Sequence, residues 1–193
     1  MIYDYVAKSF HRSDDFTMRF EPADLQDAWL IHLEPICDNR GSFARTFCAD
    51  EFRAHGLETN FPQHSISSSL QKGTLRGMHF QTQPHSEAKV VRCLSGLIWD
   101  VIIDLRPDSS TFRQWRGFQL SEDNGLQLYI PKGFAHGFQT LSDNARINYL
   151  ISKVYEPAAS TGVRYNDPAF GVTWPLPVTT IAEKDRLWPD FSV

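Results

Sequence analysis

Short apolar runs bounded by glycine, proline or asparagine follow one another along most of this 193-residue chain. The clearest spans residues 97–105, where Trp99 and Val101 share one strand face while Asp100 and Asp104 lie on the other. Further runs of strand length occur at residues 29–33, 74–81, 89–94, 127–130 and 146–154. Strands at this spacing predict an all-β sandwich or barrel.

Only a few short helices are expected beside these strands. Residues 50–56 predict one or two helical turns that begin at an Asp50 N-cap and stop at Gly56. Residues 180–187 predict a second short helix, packed on the outside of the barrel. The fold class is therefore predicted as all-β.

The composition of the chain indicates which binding partners and which cellular compartment to expect. The formal charge of −4 argues against a broad nucleic-acid-binding surface. No stretch approaches the roughly 18 apolar residues of a membrane helix, and the start of the chain lacks a signal-peptide run. Three cysteines without metal-ligand spacing suit a reducing compartment. We expect a cytoplasmic protein, with residues 1–17 as an N-terminal arm and residues 18–193 as a single domain.

Two segments of the sequence begin with a glycine and end with a histidine. In residues 73–79 a glycine is followed six positions later by His79, and residues 125–136 read G-x5-P-x-G-x2-H and end at His136. Glycines suit tight hairpin corners. The pair resembles the two sequence boxes of the cupin family, whose fold is a jelly-roll barrel (double-stranded β-helix), and the resemblance implies that each box delivers its histidine to the barrel interior.

The first box departs from the metal-binding cupin pattern. Many cupins bind a metal through two histidines and a glutamate of the first box and a histidine of the second. Here Gln81 replaces the second histidine, and Glu87 lies beyond the usual spacing. Because glutamine is a poor ligand for zinc or iron, we expect no metal. A metal-dependent cupin that uses His79, His85 and His136 remains an alternative.

A series of longer motifs narrows the resemblance. They are LRGMHFQ at residues 75–81, KVVR at 89–92, DVIIDLR at 100–106, IPKGFAHGF at 130–138, YEP at 155–157, NDP at 166–168, WP at 174–175 and EKD at 183–185. In this order they resemble the dTDP-4-dehydrorhamnose 3,5-epimerase family. The resemblance implies a nucleotide-sugar epimerase that inverts C3 and C5 of a 4-keto-6-deoxy sugar without a cofactor. It also implies a homodimer, with residues 18–35 at the interface.

The implied chemistry assigns roles to five side chains. A C4 ketone acidifies the hydrogens on C3 and C5, so inversion requires a base, an enolate stabiliser and a proton donor on the opposite face. His79 is the natural base, since histidine exchanges protons near neutral pH. The resemblance places Asp185 behind it to fix its tautomer, and makes Tyr149 the donor, an acidic phenol near a cationic neighbour. Lys89 and Arg76 are the candidates for stabilising the enolate.

Strand alternation raises one difficulty for this assignment. Arg76 and His79 are three positions apart, so a regular strand would point them to opposite faces. Gly77 lies between them and permits a bulge that would return both side chains to one face.

The remaining candidates bind the substrate. The resemblance implies a binding region formed by Arg40, Phe43, Arg45, Gln63, Ser65, Arg76 and His136, with Arg40 on the diphosphate. Two positions depart from the family pattern, since Ser65 replaces an asparagine and Arg45 replaces an acid. These departures leave two alternatives open: the protein inverts only one carbon, or it acts on a sugar that is carried by another nucleotide. A non-catalytic sugar-binding cupin is a third alternative, but such a binder needs no opposed base and acid.

Overall fold

Two β-sheets face each other in the computed structural model, which describes residues 17–192. The first sheet has six strands in the order β1-β2-β10-β7-β12-β5. These are β1 (Arg19–Pro22), β2 (Trp29–His32), β5 (Gln63–Ser69), β7 (Lys89–Ser95), β10 (Leu126–Ile130) and β12 (Ala145–Ile151). The predicted N-terminal arm lies outside the described residues, apart from residue 17.

The second sheet carries the remaining long strands. Its order is β13-β6-β11-β8-β9, and β14 pairs with β6 in parallel. The strands are β6 (Thr74–Gln81), β8 (Leu97–Asp104), β9 (Trp115–Ser121), β11 (Phe134–Thr140), β13 (Ser160–Gly162) and β14 (Thr180–Ile181). A separate hairpin joins β3 (Ile36–Asp38) to β4 (Gly41–Phe43). The all-β jelly-roll prediction is confirmed.

The main core lies between the two sheets. Leu128 and Ile147 project into it from the first sheet, and Ile102, Leu120 and Phe138 project from the second. All five are buried, and strand alternation explains why only every second residue of each strand takes part. This packing holds the two sheets face to face and leaves room for a cavity beside the core.

Strand β8 is buried on both of its faces. Ile102 faces the core between the sheets, whereas Val101 packs in a second cluster on the outer side, under the C-terminal part of the chain. The two acids of this strand, Asp100 and Asp104, are consequently buried rather than solvated. Buried carboxylates require hydrogen bonds, and Asp104 receives them from Arg106 and its neighbouring loop.

The two helices are short, and each differs in one respect from its prediction. Helix α1 (Ala49–Ala54) has Cys48 at its N-cap, so the prediction of Asp50 as N-cap was wrong. Helix α2 (Glu183–Arg186) was predicted to pack on the outside, but its Asp185 is buried and reaches the cavity. No helix among residues 17–192 is long and apolar enough to cross a membrane.

Candidate active site

A cavity of about 640 Å³ opens between the two sheets. The predicted residues that line it are Ser65, Arg76, His79, Lys89, His136, Tyr149 and Asp185. A smaller cavity of about 210 Å³ adjoins it, shares His79 and Lys89, and is lined by Gln63. The fold therefore gathers eight of the eleven candidates into one continuous cleft.

A bulge in β6 brings Arg76 and His79 to the same face. Phe138 of β11 pairs with Arg76, and His136 pairs with His79, so two residues of β6 oppose one residue of β11. Gly77 adopts a φ of +143°, and a Cβ atom there would lie 2.5 Å from the neighbouring Cα of β11. Only glycine fits this close approach, as the bulge prediction required.

His79 is held by a buried carboxylate. Its Nε2 lies 2.6 Å from Oδ1 of Asp185, while Oδ2 accepts the backbone N–H of Gly77 at 3.3 Å. Burial by itself raises the pKa of Asp185, but the hydrogen bond and charge of His79, with the Gly77 N–H and Lys184, outweigh it and hold this pKa below its usual value. Asp185 is therefore a carboxylate that orients the ring, and leaves Nδ1 of His79 for a ligand.

Lys89 is paired with an acid that the sequence analysis did not assign to the site. Its Nζ lies 2.9 Å from Oε1 of Glu87, and both side chains are nearly buried. Glu87 also accepts the backbone N–H of Gln81 at 3.2 Å. The side chain of Gln81 is itself committed to the backbone of His85 and Glu156. Residues 17–192 contain no group of three or more His, Cys, Asp or Glu side chains placed to hold a metal.

Tyr149 reaches the cavity from the sheet opposite His79. It lies on β12 of the first sheet, whereas His79 lies on β6 of the second. Burial raises the pKa of Tyr149 strongly and the charge of Asp100 raises it further, while Arg76 and a hydrogen bond with Ser67 oppose the shift. The expectation of an acidic phenol was wrong, because burial outweighs the nearby cation. The phenol keeps its proton at neutral pH and is a hydrogen-bond donor.

His136, which lines the same cavity, forms a second histidine–carboxylate pair with Asp100. Nε2 of His136 lies 2.8 Å from Oδ1 of Asp100, and both side chains are buried. The ring of His136 meets that of Tyr149 edge-on, with centroids 6.1 Å apart. The other oxygen of Asp100 is buried and has no hydrogen-bond partner among residues 17–192.

Polar side chains continue the cleft beyond these pairs. Arg76 is anchored by hydrogen bonds from Nε to Ser69 and from Nη2 to the backbone of Ser68, each 3.1 Å long. Its guanidinium shares the cavity lining with Ser65. A fixed guanidinium beside hydroxyl groups suits an anionic group such as a phosphate.

Three candidates lie outside both cavities of the described chain. Arg40 is exposed at the tip of the β3–β4 hairpin and bonds Asp38, with Nε 3.1 Å from Oδ2. Phe43 is exposed at the end of β4. Arg45 pairs with Glu51 at 2.6 Å. Within one chain the structure does not bring these three to either cavity, and the hairpin forms a two-stranded sheet of its own.

Lys184 is a cleft residue that the sequence analysis missed. It lines both cavities, directly before Asp185 on α2, and its ammonium lies 5.5 Å from the centroid of Trp188. The EKD motif contains it, so its position beside a predicted site residue was the available signal.

A histidine backed by a carboxylate, opposed by a protonated tyrosine inside a jelly-roll barrel, defines a cupin-type acid–base isomerase. The family model of dTDP-4-dehydrorhamnose 3,5-epimerase matches residues 22–192, and the chain belongs to that family.

Individual relatives agree with this assignment. The dTDP-4-dehydrorhamnose 3,5-epimerase of Methanothermobacter thermautotrophicus is 42% identical over 88% of this chain and 92% of its own. A crystal structure of the Bacillus anthracis enzyme with TDP and PPi bound superposes with a TM-score of 0.88 at 38% identity, over 91% of this chain and 100% of that one. The dTDP-4-dehydrorhamnose 3-epimerase of Streptomyces niveus is 35% identical over 88% of this chain and 82% of its own.

Proposed function

We propose that this protein inverts C3 and C5 of dTDP-4-dehydro-6-deoxy-D-glucose by proton abstraction and return beside the C4 ketone. The observation that carries the proposal is the opposition of His79 and Tyr149. They project into one cavity from facing sheets, and one is a base with a fixed carboxylate while the other keeps its proton. A sugar ring between them meets a proton acceptor on one face and a donor on the other.

Each inversion consists of three steps, and one cavity side chain is assigned to each step. His79, oriented by Asp185, removes the proton from the carbon next to the ketone. The electron pair moves into an enolate, whose oxygen is stabilised by the ammonium of Lys89. Tyr149 returns a proton to the other face of the same carbon, which inverts it. These reaction steps require no redox cofactor, because the carbon returns to its original oxidation state.

The nucleoside diphosphate is assigned to the part of the cleft lined by Arg76 and Ser65, extended by Gln63. A diphosphate carries about two negative charges and requires cationic partners. We also propose that the chain is a homodimer in which the β3–β4 hairpin carries Arg40 and Phe43 into the partner's barrel. Support comes from the separation of that hairpin from both barrel sheets, with Phe43 69% exposed.

The test is deuterium uptake from solvent by dTDP-4-dehydro-6-deoxy-D-glucose, followed by NMR at C3 and C5. The protein should take up deuterium and invert both carbons, and His79→Asn should abolish both effects, since no other base replaces the first step. His64→Gln is a matched control, because His64 is exposed on β5 and lines neither cavity. A His79→Asn variant with more than about a tenth of the normal rate would exclude His79 as the base.

A single-carbon epimerase is the second candidate, and two observations favour retaining it. One relative of comparable similarity is a 3-epimerase by name, and Ser65 in the cleft departs from the family pattern. Inversion of only one carbon in the same experiment would select this candidate.

A further inference from the structure

Inversion of two carbons in succession requires that the protonation states of His79 and Tyr149 be restored between the two steps. After one carbon is inverted, His79 holds an extra proton and Tyr149 is a phenolate. The next inversion, whether at the second carbon or in the next substrate, requires the opposite state. One proton must therefore pass from His79 to Tyr149 each time.

His136 lies where such a transfer would occur. It is the direct cross-strand partner of His79 in the pairing of β11 with β6, and both side chains line the cavity. Residues opposite one another in an antiparallel pair have Cβ atoms about 4.5–5.5 Å apart. On its other side the ring of His136 contacts the ring of Tyr149, with centroids 6.1 Å apart.

Asp100 equips His136 to hold an additional proton. Its Oδ1 lies 2.8 Å from Nε2 of His136 in a buried setting. Its Oδ2 has no hydrogen-bond partner among the described residues, and such an oxygen costs free energy unless a nearby positive charge offsets it. An imidazolium on His136 supplies that charge, so the pair is suited to a transiently protonated histidine.

We propose that His136, held by Asp100, relays a proton from His79 to Tyr149 between successive inversions; this rests on the proposed function. The proton taken from carbon leaves His79 for the ring nitrogen of His136 that does not bond Asp100. The same nitrogen then passes it to the phenolate oxygen of Tyr149. His79, His136 and Tyr149 all return to their starting protonation states, and no co-reactant is consumed.

The test separates the first inversion from those that follow. Enzyme in excess over dTDP-4-dehydro-6-deoxy-D-glucose is mixed with it and quenched at intervals, and the configuration of each carbon is measured by NMR. In His136→Gln the ratio of the second inversion rate to the first should fall by about tenfold or more, because bulk water replaces a positioned acid–base group poorly.

A second variant guards against a purely structural effect. Asp100→Asn keeps the acceptor for His136 but removes the charge, so it should slow the second inversion less than His136→Gln does. Both variants are checked for folding by thermal unfolding, and His64→Gln again serves as the histidine control, with no expected change.

Equal slowing at both carbons, or an unchanged second step in a folded His136→Gln, would overturn the relay. A native protein that inverts neither carbon refutes the proposed function instead. If the native protein inverts one carbon only, the first turnover is compared with later ones at excess substrate, and the relay requires only the later turnovers to slow.

Discussion

Replacing Asp185 by asparagine isolates the contribution of the carboxylate that holds His79, the proposed base. The side chain is 3% exposed and serves two donors, His79 at 2.6 Å and the Gly77 N–H at 3.3 Å. Asparagine has nearly the same shape but only one acceptor oxygen and no charge. One of the two donors must therefore lose its partner, and His79 loses its fixed tautomer.

The expected magnitude follows from the bond that is lost. A hydrogen bond to a charged group contributes about 1.5–3 kcal/mol, which corresponds to a fall in kcat of about 10- to 150-fold. KM should stay within about threefold, because the buried carboxylate acts through His79 and the interaction strengthens only as His79 gains its proton.

The assay is the rate of inversion at C3 and C5, followed by NMR, across substrate concentrations at fixed pH. Asp190→Asn is the matched control, since Asp190 lies a few residues further along, is exposed and pairs with Arg164 at the surface. A kcat for Asp185→Asn within about threefold of normal would refute the reasoning. So would a loss that appears only as a higher KM.

Three further predictions concern the donor, the hairpin and the buried acid of β8. Tyr149→Phe should retain measurable deuterium exchange, since His79 still abstracts, but should lose net inversion; equal loss of both contradicts the division of roles. Arg40→Ala should raise KM for the nucleotide sugar by about one to two orders of magnitude with little change in kcat, whereas Arg53→Ala, an exposed control on α1, should not; unchanged affinity for dTDP in calorimetry would remove Arg40 from the site. Burial raises the pKa of Asp104, but hydrogen bonds from Arg106, Ser109 and Thr111 outweigh it and leave this pKa below its usual value, so its stabilisation is present above about pH 4 and fades as pH falls through the folded-state pKa. Asp104→Asn should therefore lower the free energy of unfolding by about 3 kcal/mol at pH 7 and by less at pH 3 in urea titrations, and an equal loss at both pH values would count against this account.

Strands with clear alternation or sharp boundaries were predictable, and strands without them were not. β8 begins directly after Gly96 and ends at Asp104, β6 begins directly after Gly73, and both strands were predicted. β11 is buried at every position, and β5 is almost entirely polar, so neither shows a period of two. Their pairing with β6 and β12 is decided by neighbours distant in sequence.

The sequence by itself determined the fold class, the family and most of the chemical groups of the site, because local motifs place glycines and histidines at fixed spacing. Only the tertiary structure decided which groups meet. Asp185 reaches His79 across 106 positions because β14 pairs with β6 and carries α2 to the cleft. Asp100 joins His136 through the pairing of β8 with β11, and burial reverses the expected acidity of Tyr149. These outcomes depend on sheet register and desolvation, which arise only when distant segments pack together.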